Sequence, residues 1–153
     1  MSPIGNDKSA IASVVLMERI VRDIYPSKKS SAIQPLQWSI LRYLMRMPVD
    51  RREQRWIANF LGLTGAPVTR ALRTLETRGL VSQQKSETDN RAKTFSLTDA
   101  GVAVLESDPI LRVARLISSW PLEHQELFAR SIRTLALDCE QLNGEPTKKH
   151  SDN

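Results

Sequence analysis

The sequence is poor in the side chains that catalysis and metal binding need. Its 153 residues include one cysteine, Cys139, and two histidines, His124 and His150. A single cysteine cannot form an internal disulfide, and three such scattered side chains are a weak ligand set for zinc. We therefore expect no metal, no cofactor and no enzymatic activity.

Long apolar runs are also missing. A membrane-spanning helix needs about 20 apolar residues in succession, whereas charged residues interrupt the first apolar segment from Glu18 onward. The first residues do not show the charged and then apolar order of a signal peptide. The sequence therefore predicts a cytoplasmic protein that has no membrane partner.

Basic residues exceed acidic ones, and the excess is confined to the middle of the chain. The net charge is +5, from 22 basic and 17 acidic residues. Residues 51–93 hold nine bases and four acids, which leaves thirteen of each elsewhere. A local excess of this kind is typical of a surface that binds a polyanion, although many charge runs are simply solvated faces.

Apolar periodicity predicts four helices in the first half of the chain. They cover residues 9–25, 36–47 and 55–61, and a fourth begins after Thr64 and ends at Gly79. The hydroxyl of Thr64 is expected to cap the fourth helix. Gly62 and Gly79 are expected to end the third and fourth helices in the left-handed conformation. The short third helix should bury Phe60.

The second half begins with two short alternating segments. Residues 80–86 and 92–98 read as the strands of a hairpin, after which Thr98 should cap another helix. Pro109 predicts a break before the last helices. Two helices joined by a tight turn and followed by a hairpin form a winged helix-turn-helix. The predicted fold is therefore mainly α with a small β-hairpin, in the α+β class.

Three stretches carry a family pattern. They are PLQWSILRYL from Pro35, LGLTGAPVTRALRTLETRGLV from Leu61, and DNRAKTFSLTDAG from Asp89. In this order they resemble the MarR family of winged helix-turn-helix transcription regulators. The resemblance implies a homodimer that binds a pseudo-palindromic operator in double-stranded DNA, most often as a repressor.

The resemblance also implies a division of the chain. Residues 35–101 form the DNA-binding winged helix-turn-helix, residues 9–34 and 102–142 form a helical dimerisation region, and residues 1–8 and 143–153 are disordered termini. The terminal helices are apolar nearly all round, so a single chain cannot cover them. Dimerisation is therefore expected from the residues as well.

The predicted DNA contacts lie on the fourth helix and on the hairpin, which is the wing. Arg70 and Arg73 are expected to meet base edges or phosphates. Arg91 is expected to enter the minor groove while Asp89 holds it extended. The complete predicted set is Thr64, Gly65, Ala66, Pro67, Thr69, Arg70, Arg73, Thr77, Lys85, Asp89, Asn90, Arg91 and Lys93.

A ligand site and a second function complete the hypotheses. Met17, Trp38, Met45 and Arg46 are predicted to bind a small aromatic or phenolic effector, as in relatives that bind aromatic acids. Packing in the core is the simpler role for most such side chains. The alternative function is a winged helix that binds another protein without binding DNA, which has no need for the central basic excess.

Overall fold

The computed structural model describes residues 8–25, 29, 32–85 and 91–144. The chain divides into two compact units, Met1–Leu111 and Arg112–Asn153. The elements are α1 (Lys8–Ile24), α2 (Pro35–Arg46), α3 (Gln54–Leu61), α4 (Gly65–Thr77), β1 (Val81–Lys85), β2 (Lys93–Leu97), α5 (Asp99–Val104), α6 (Ile110–Ser118) and α7 (Leu122–Gly144), with 3-10 turns at Val49–Arg51 and Leu105–Ser107. The mainly α fold with a small hairpin is confirmed.

The helices agree with the predicted boundaries to within a few residues. α1 begins at Lys8 and α7 ends at Gly144, a little inside the segments predicted to be disordered. The rest of those two segments lies outside the described residues. Within the part of the chain that the structure describes, no helix is long and apolar enough to cross a membrane.

The core of the first unit forms between α2, α3, α4 and the hairpin. Pro35 opens α2 at a position where its missing N–H costs no hydrogen bond. Ile40, Leu41 and Leu44 form the inner stripe of α2 and are fully buried. The buried apolar side chains are Trp38, Ile40, Leu41, Tyr43, Leu44, Ile57, Ala58, Val68, Ala71, Leu72, Leu75, Val81 and Phe95.

The short helix α3 shows one wrong prediction. Gly62 ends the helix with a φ of 64°, as expected for a left-handed cap. Phe60, however, is 62% exposed instead of buried. Two turns of helix offer few inward positions, and Ile57, Ala58 and Leu61 occupy them. Phe60 lies to one side, with its ring centroid 5.0 Å from that of Tyr43.

The end of α4 is confirmed in detail. Gly79 has a φ of 70°. Its N–H donates to the carbonyl of Glu76 at 2.8 Å, and the N–H of Leu80 donates to the carbonyl of Leu75 at 3.0 Å. These two bonds define a Schellman motif, which turns the chain from α4 directly into β1.

A third segment covers the outer edge of β2. The N–H of Phe95 donates to the carbonyl of Arg52 at 3.0 Å, and Glu53 pairs with Thr94 in an isolated antiparallel bridge. The residues just before α3 therefore extend the two-stranded hairpin. This pairing ties the start of α3 to β2.

The segment after the hairpin is short and interrupted. Thr98 caps α5 as predicted, because its hydroxyl accepts from the N–H of Gly101 at 3.1 Å. A Cβ added at Gly101 would overlap the backbone of Leu80, so this position needs glycine. The predicted break is confirmed, since α5 gives way to a 3-10 turn and α6 starts only after Pro109.

The second unit consists of the rest of α6 and all of α7. The rings of Trp120 and Phe128 pack edge to face with centroids 5.5 Å apart. The side-chain amide of Gln125 donates to the carbonyls of Trp120 and Ser118 at 2.8 and 3.2 Å. Large apolar side chains remain exposed along α7, including Leu127, Leu137 and Leu142.

Candidate nucleic-acid interface

The outer face of α4 carries the two arginines predicted to contact DNA. Val68, Ala71, Leu72 and Leu75 turn inward and are buried, which fixes the rotation of the helix. Residues 66, 70, 73 and 77 follow the three- and four-residue spacing of one helical face. They are exposed, so Arg70 and Arg73 reach solvent together with the small side chain of Ala66.

The start of α4 is held differently from the prediction. Thr64 occupies the cap position, but among the described residues its side chain makes no capping hydrogen bond, so the predicted hydroxyl cap is wrong. Gln54 in α3 holds the first turn instead. Its Nε2 donates to Oγ1 of Thr69 at 2.7 Å and to the carbonyl of Gly65 at 3.3 Å.

Gln54 therefore positions two predicted contacts without belonging to the predicted set. Thr69 is the fifth residue of α4, and its hydroxyl also donates to the carbonyl of Gly65 at 2.8 Å. A Cβ at Gly65 would lie 3.3 Å from Nε2 of Gln54, so an alanine there would require a small shift of this flexible amide. Sequence reasoning missed Gln54 because a polar residue in a short helix carries no signal of its partner.

The end of the hairpin next to its turn brings two basic side chains together. Lys85 and Lys93 are directly opposite each other in the antiparallel register, and both are exposed. Like charges at opposite positions destabilise a strand pair. A bound anion would relieve this repulsion, so the end of the wing is electrostatically suited to a phosphate.

Arg91 lies in the turn just before β2 and is exposed. Its predicted neighbours Asp89 and Asn90 lie outside the described residues, and the proposed support of Arg91 by Asp89 stays a prediction. Arg91 and Lys93 line a cleft of about 270 Å³ with Glu53, Gln54 and Arg55, among other residues. The end of the wing thus faces the start of α3.

A second cleft separates α4 from the hairpin. It has a volume of about 190 Å³, and its lining includes Arg73 and Glu76 from α4 and Gln83 and Lys93 from the hairpin. Residues of α4 and of the wing that are predicted to contact DNA therefore border the same depression. Base readout by a helix and backbone contact by a wing need this arrangement.

Solved structures of similar proteins share the fold. The crystal structure of the MepR–DNA complex of S. aureus is 23% identical, with 82% of this chain and 96% of that chain covered and a TM-score of 0.67. The PcaV transcriptional regulator of Streptomyces coelicolor, solved with its natural ligand, is 21% identical over 89% and 96% of the chains, with a TM-score of 0.63.

A MarR transcriptional regulator of Methanosarcina mazei Go1 is 22% identical over 88% of this chain and 99% of that chain, with a TM-score of 0.68. At these identities the similarity shows a common fold. A family model described as MarR family matches residues 33–92, which run from before α2 into the wing. These residues belong to the MarR family.

The predicted effector residues are spread over several places. Arg46 lines a cleft of about 170 Å³, together with Tyr43 and Phe60 among other residues. Trp38 packs in the core, Met45 is exposed, and Met17 lies half-buried on α1. Effector binding by these residues stays a prediction.

A buried ion pair joins α2 to the segment before α6 and was missed by sequence reasoning. Nη1 of Arg42 donates to both carboxylate oxygens of Asp108 at 2.9 Å, and Nη2 donates to the hydroxyl of Tyr25 at 3.0 Å. Oδ1 of Asp108 also accepts from the N–H of Ile110 at 3.1 Å. One arginine thus connects the end of α1, the middle of α2 and the start of α6.

The charge of Arg42 is well supported in this place. Burial favours its neutral form and is the largest single influence on its pKa. The hydrogen bonds to Tyr25 and Asp108 act in the opposite direction, and with the charges of these groups they raise the pKa of Arg42 above its ordinary value. The guanidinium is therefore a permanent positive charge.

Proposed function

We propose that this chain is a homodimeric transcription regulator that binds double-stranded DNA in a sequence-specific way and acts as a repressor. The main support is the exposed pair Arg70 and Arg73 on the outer face of α4, beside a hairpin whose end opposes Lys85 to Lys93. MarR-family proteins are transcription regulators and not enzymes, and among the described residues no cluster of ligands could hold a metal ion.

Dimerisation is supported by apolar surface that the single chain leaves uncovered. Ile11, Val15 and Val21 on α1 are each more than half exposed, as are Leu127 and Leu137 on α7. Such helices need a partner surface in water. A second copy of the chain supplies it, and a two-fold dimer presents two copies of α4 to the two halves of a pseudo-palindromic operator. The protein acts in the cytoplasm.

A compact effector is part of the proposal. The cleft beside Arg46 is below the roughly 300 Å³ of typical ligand sites, so it suits one substituted aromatic ring. The guanidinium of Arg46 would pair with a carboxylate or phenolate on such a ring. The PcaV regulator, which has the same fold, was solved with its natural ligand. This part is tested by adding a hydroxybenzoic acid to the protein–DNA complex. The acid should release the parent protein from DNA and should not release Arg46→Gln.

The DNA-binding function is tested by titrating the protein against the DNA upstream of its own gene at several salt concentrations. We expect tight binding to the upstream DNA, with a binding constant whose logarithm falls linearly with the logarithm of the salt concentration. Binding to unrelated DNA should be much weaker. The test variant is Arg73→Ala on α4, and the control is Arg19→Gln on α1, because Arg19 is also an exposed arginine but lies outside the basic segment.

Arg73→Ala should weaken specific binding, and Arg19→Gln should behave as the parent protein. Salt-dependent binding that does not distinguish the upstream DNA from random DNA would argue against sequence-specific regulation. No binding at low salt would instead favour the protein-interaction module.

A further inference from the structure

A basic cluster lies at the start of α3. Its residues are not among the predicted DNA contacts. The guanidinium carbon of Arg51 is 4.4 Å from the ring centroid of Trp56, and that of Arg55 is 5.2 Å from the same centroid. Trp56 itself is anchored, because it packs against the hydrophobic core. One fixed aromatic ring therefore holds two cations by cation–π attraction.

Holding both arginines at one ring brings like charges close together. Nε of Arg55 is 2.7 Å from a carboxylate oxygen of Glu53, whose side chain is 7% exposed. The side chain of Arg55 is 68% exposed, and Arg51 is exposed as well. The cluster keeps a net positive charge on exposed side chains, which favours an anionic ligand.

The cluster also faces the wing. Arg55 lines the cleft of about 270 Å³ that is lined from the other side by Arg91 and Lys93. Glu53, at the same cleft, is tied to β2 by its bridge to Thr94. The distance between the backbone of the α3 start and that of β2 is therefore set by this pairing.

We propose that Arg51 and Arg55, ordered on Trp56, bind the phosphodiester backbone of DNA beside the wing, with Arg55 sharing one phosphate cleft with Arg91 and Lys93. The proposal rests on the DNA-binding function and extends the contact surface from α4 and the wing to α3. Arginine suits the role because its planar fork matches phosphate oxygens in pairs. Stacking on the ring removes part of the side-chain entropy that binding would otherwise cost.

The test measures affinity for the upstream DNA between 50 and 200 mM salt in Arg51→Gln, Arg55→Gln and Arg55→Lys. Each glutamine variant removes one phosphate contact per protomer, which lowers the salt slope by about 0.9 per protomer and about 1.8 per dimer. When salt rises fourfold, the factor by which affinity falls should be about 12 times smaller for the variant than for the parent. Arg19→Gln is the control and should keep the parental slope.

Two further variants separate charge from order. Arg55→Lys keeps the charge, so it should keep the salt slope while binding more weakly at every salt concentration. Trp56→Leu keeps both arginines but removes the ring, and the same pattern is expected. An affinity in Trp56→Leu equal to that of the parent would overturn the ordering role of the ring.

The failure of this proposal is distinguishable from the failure of the proposed function. If the parent binds the upstream DNA, and Arg73→Ala weakens that binding, the regulator function stands. If under the same conditions Arg51→Gln and Arg55→Gln keep the parental slope and affinity, the cluster does not contact DNA and the proposal is wrong. Thermal unfolding of each variant checks that the fold is intact.

Discussion

Replacing Asp108 by alanine should be among the most damaging single changes in the first unit. The side chain of Asp108 is 4% exposed and that of Arg42 is 19% exposed, and one nitrogen, Nη1, donates to both carboxylate oxygens at 2.9 Å. Asp108→Ala leaves a largely buried cation without its counter-charge, which costs about 3 to 5 kcal/mol. It also removes the hydrogen bond to the N–H of Ile110, worth about 1 kcal/mol.

Other variants of the same ion pair should lower the free energy of unfolding by graded amounts. Asp108→Asn keeps the acceptor for Ile110 and one acceptor for Arg42 but loses the charge, so its cost should be about 1.5 to 3 kcal/mol. Tyr25→Phe removes one neutral hydroxyl and should cost about 1 kcal/mol. Arg42→Met combined with Asp108→Ala should cost less than the sum of the two single changes, because neither charge is then left buried alone.

Urea unfolding at one fixed protein concentration measures these effects. With a slope of about 2 kcal/mol per molar urea, the combined cost of about 4 to 6 kcal/mol for Asp108→Ala should lower the midpoint by about 2 to 3 M. Because the pKa of Arg42 is raised in the folded protein, its charge stabilises the fold at all pH values below the ordinary pKa of arginine. This stabilisation is lost only as the pH rises through the raised pKa. The effect should therefore be equal at pH 7 and pH 9. A midpoint shift below about 0.3 M, or simple additivity in the double variant, would refute this account of the ion pair.

Three other predictions concern the wing, a close backbone contact and a buried phenol. Arg91→Ala should lower the salt slope of DNA binding by about 0.9 per protomer. Arg73→Ala should instead weaken the preference for one base pair of the operator by about 1 to 3 kcal/mol. Equal salt slopes for Arg91→Ala and the parent would contradict the wing contact. Gly101→Ala should cost about 3 kcal/mol in urea unfolding because its Cβ would meet backbone. Gly65→Ala meets only a flexible amide and should be nearly neutral for stability. Burial raises the pKa of Tyr43, partly offset by the charge of Arg51. The stability that the buried, protonated phenol contributes is present below a pH of about 10 and is lost as the pH rises through the raised pKa. The free energy of unfolding should therefore fall more steeply above a pH of about 10 in the parent than in Tyr43→Phe.

Local signals in the sequence were sufficient for the elements that position the site. The glycines that end α3 and α4, the proline that opens α2 and the threonine that caps α5 each act on backbone within a few residues. The periodic apolar positions of α4 fixed its inner face, and therefore its outer face, without knowledge of its neighbours. Such features depend on spacing, and spacing is visible in a single sequence.

The missed features all depend on residues that are distant along the chain or on competition between neighbours. Arg42 and Asp108 are 66 positions apart, and no local pattern pairs them. Thr64 is at the cap position, yet Gln54 takes over the support of the first turn through Thr69. Phe60 is apolar at a helical spacing, but a helix of two turns has no room for it inside. In each case tertiary contact decides among locally acceptable choices.

The basic excess shows how the structure refines a conclusion drawn from composition. All nine bases of residues 51–93 lie in the described residues, and two of them, Arg52 and Arg78, are half-buried. Arg52 donates to the carbonyl of Met47 at 2.7 Å and Arg78 to the carbonyl of Ala32 at 3.5 Å. Their role is in the fold, and seven exposed bases are left for a polyanion: Arg51, Arg55, Arg70, Arg73, Lys85, Arg91 and Lys93.

This division sets limits on the salt dependence of DNA binding. Seven phosphate contacts give a slope of at most about 6 per protomer, whereas the five bases of α4 and the hairpin alone give at most about 4.5. Contacts made through hydroxyl or backbone N–H groups release no counterions and do not raise these values. A measured slope between the two limits therefore requires cations beyond α4 and the wing, and Arg51 and Arg55 are the two exposed bases of the central segment that remain to supply them.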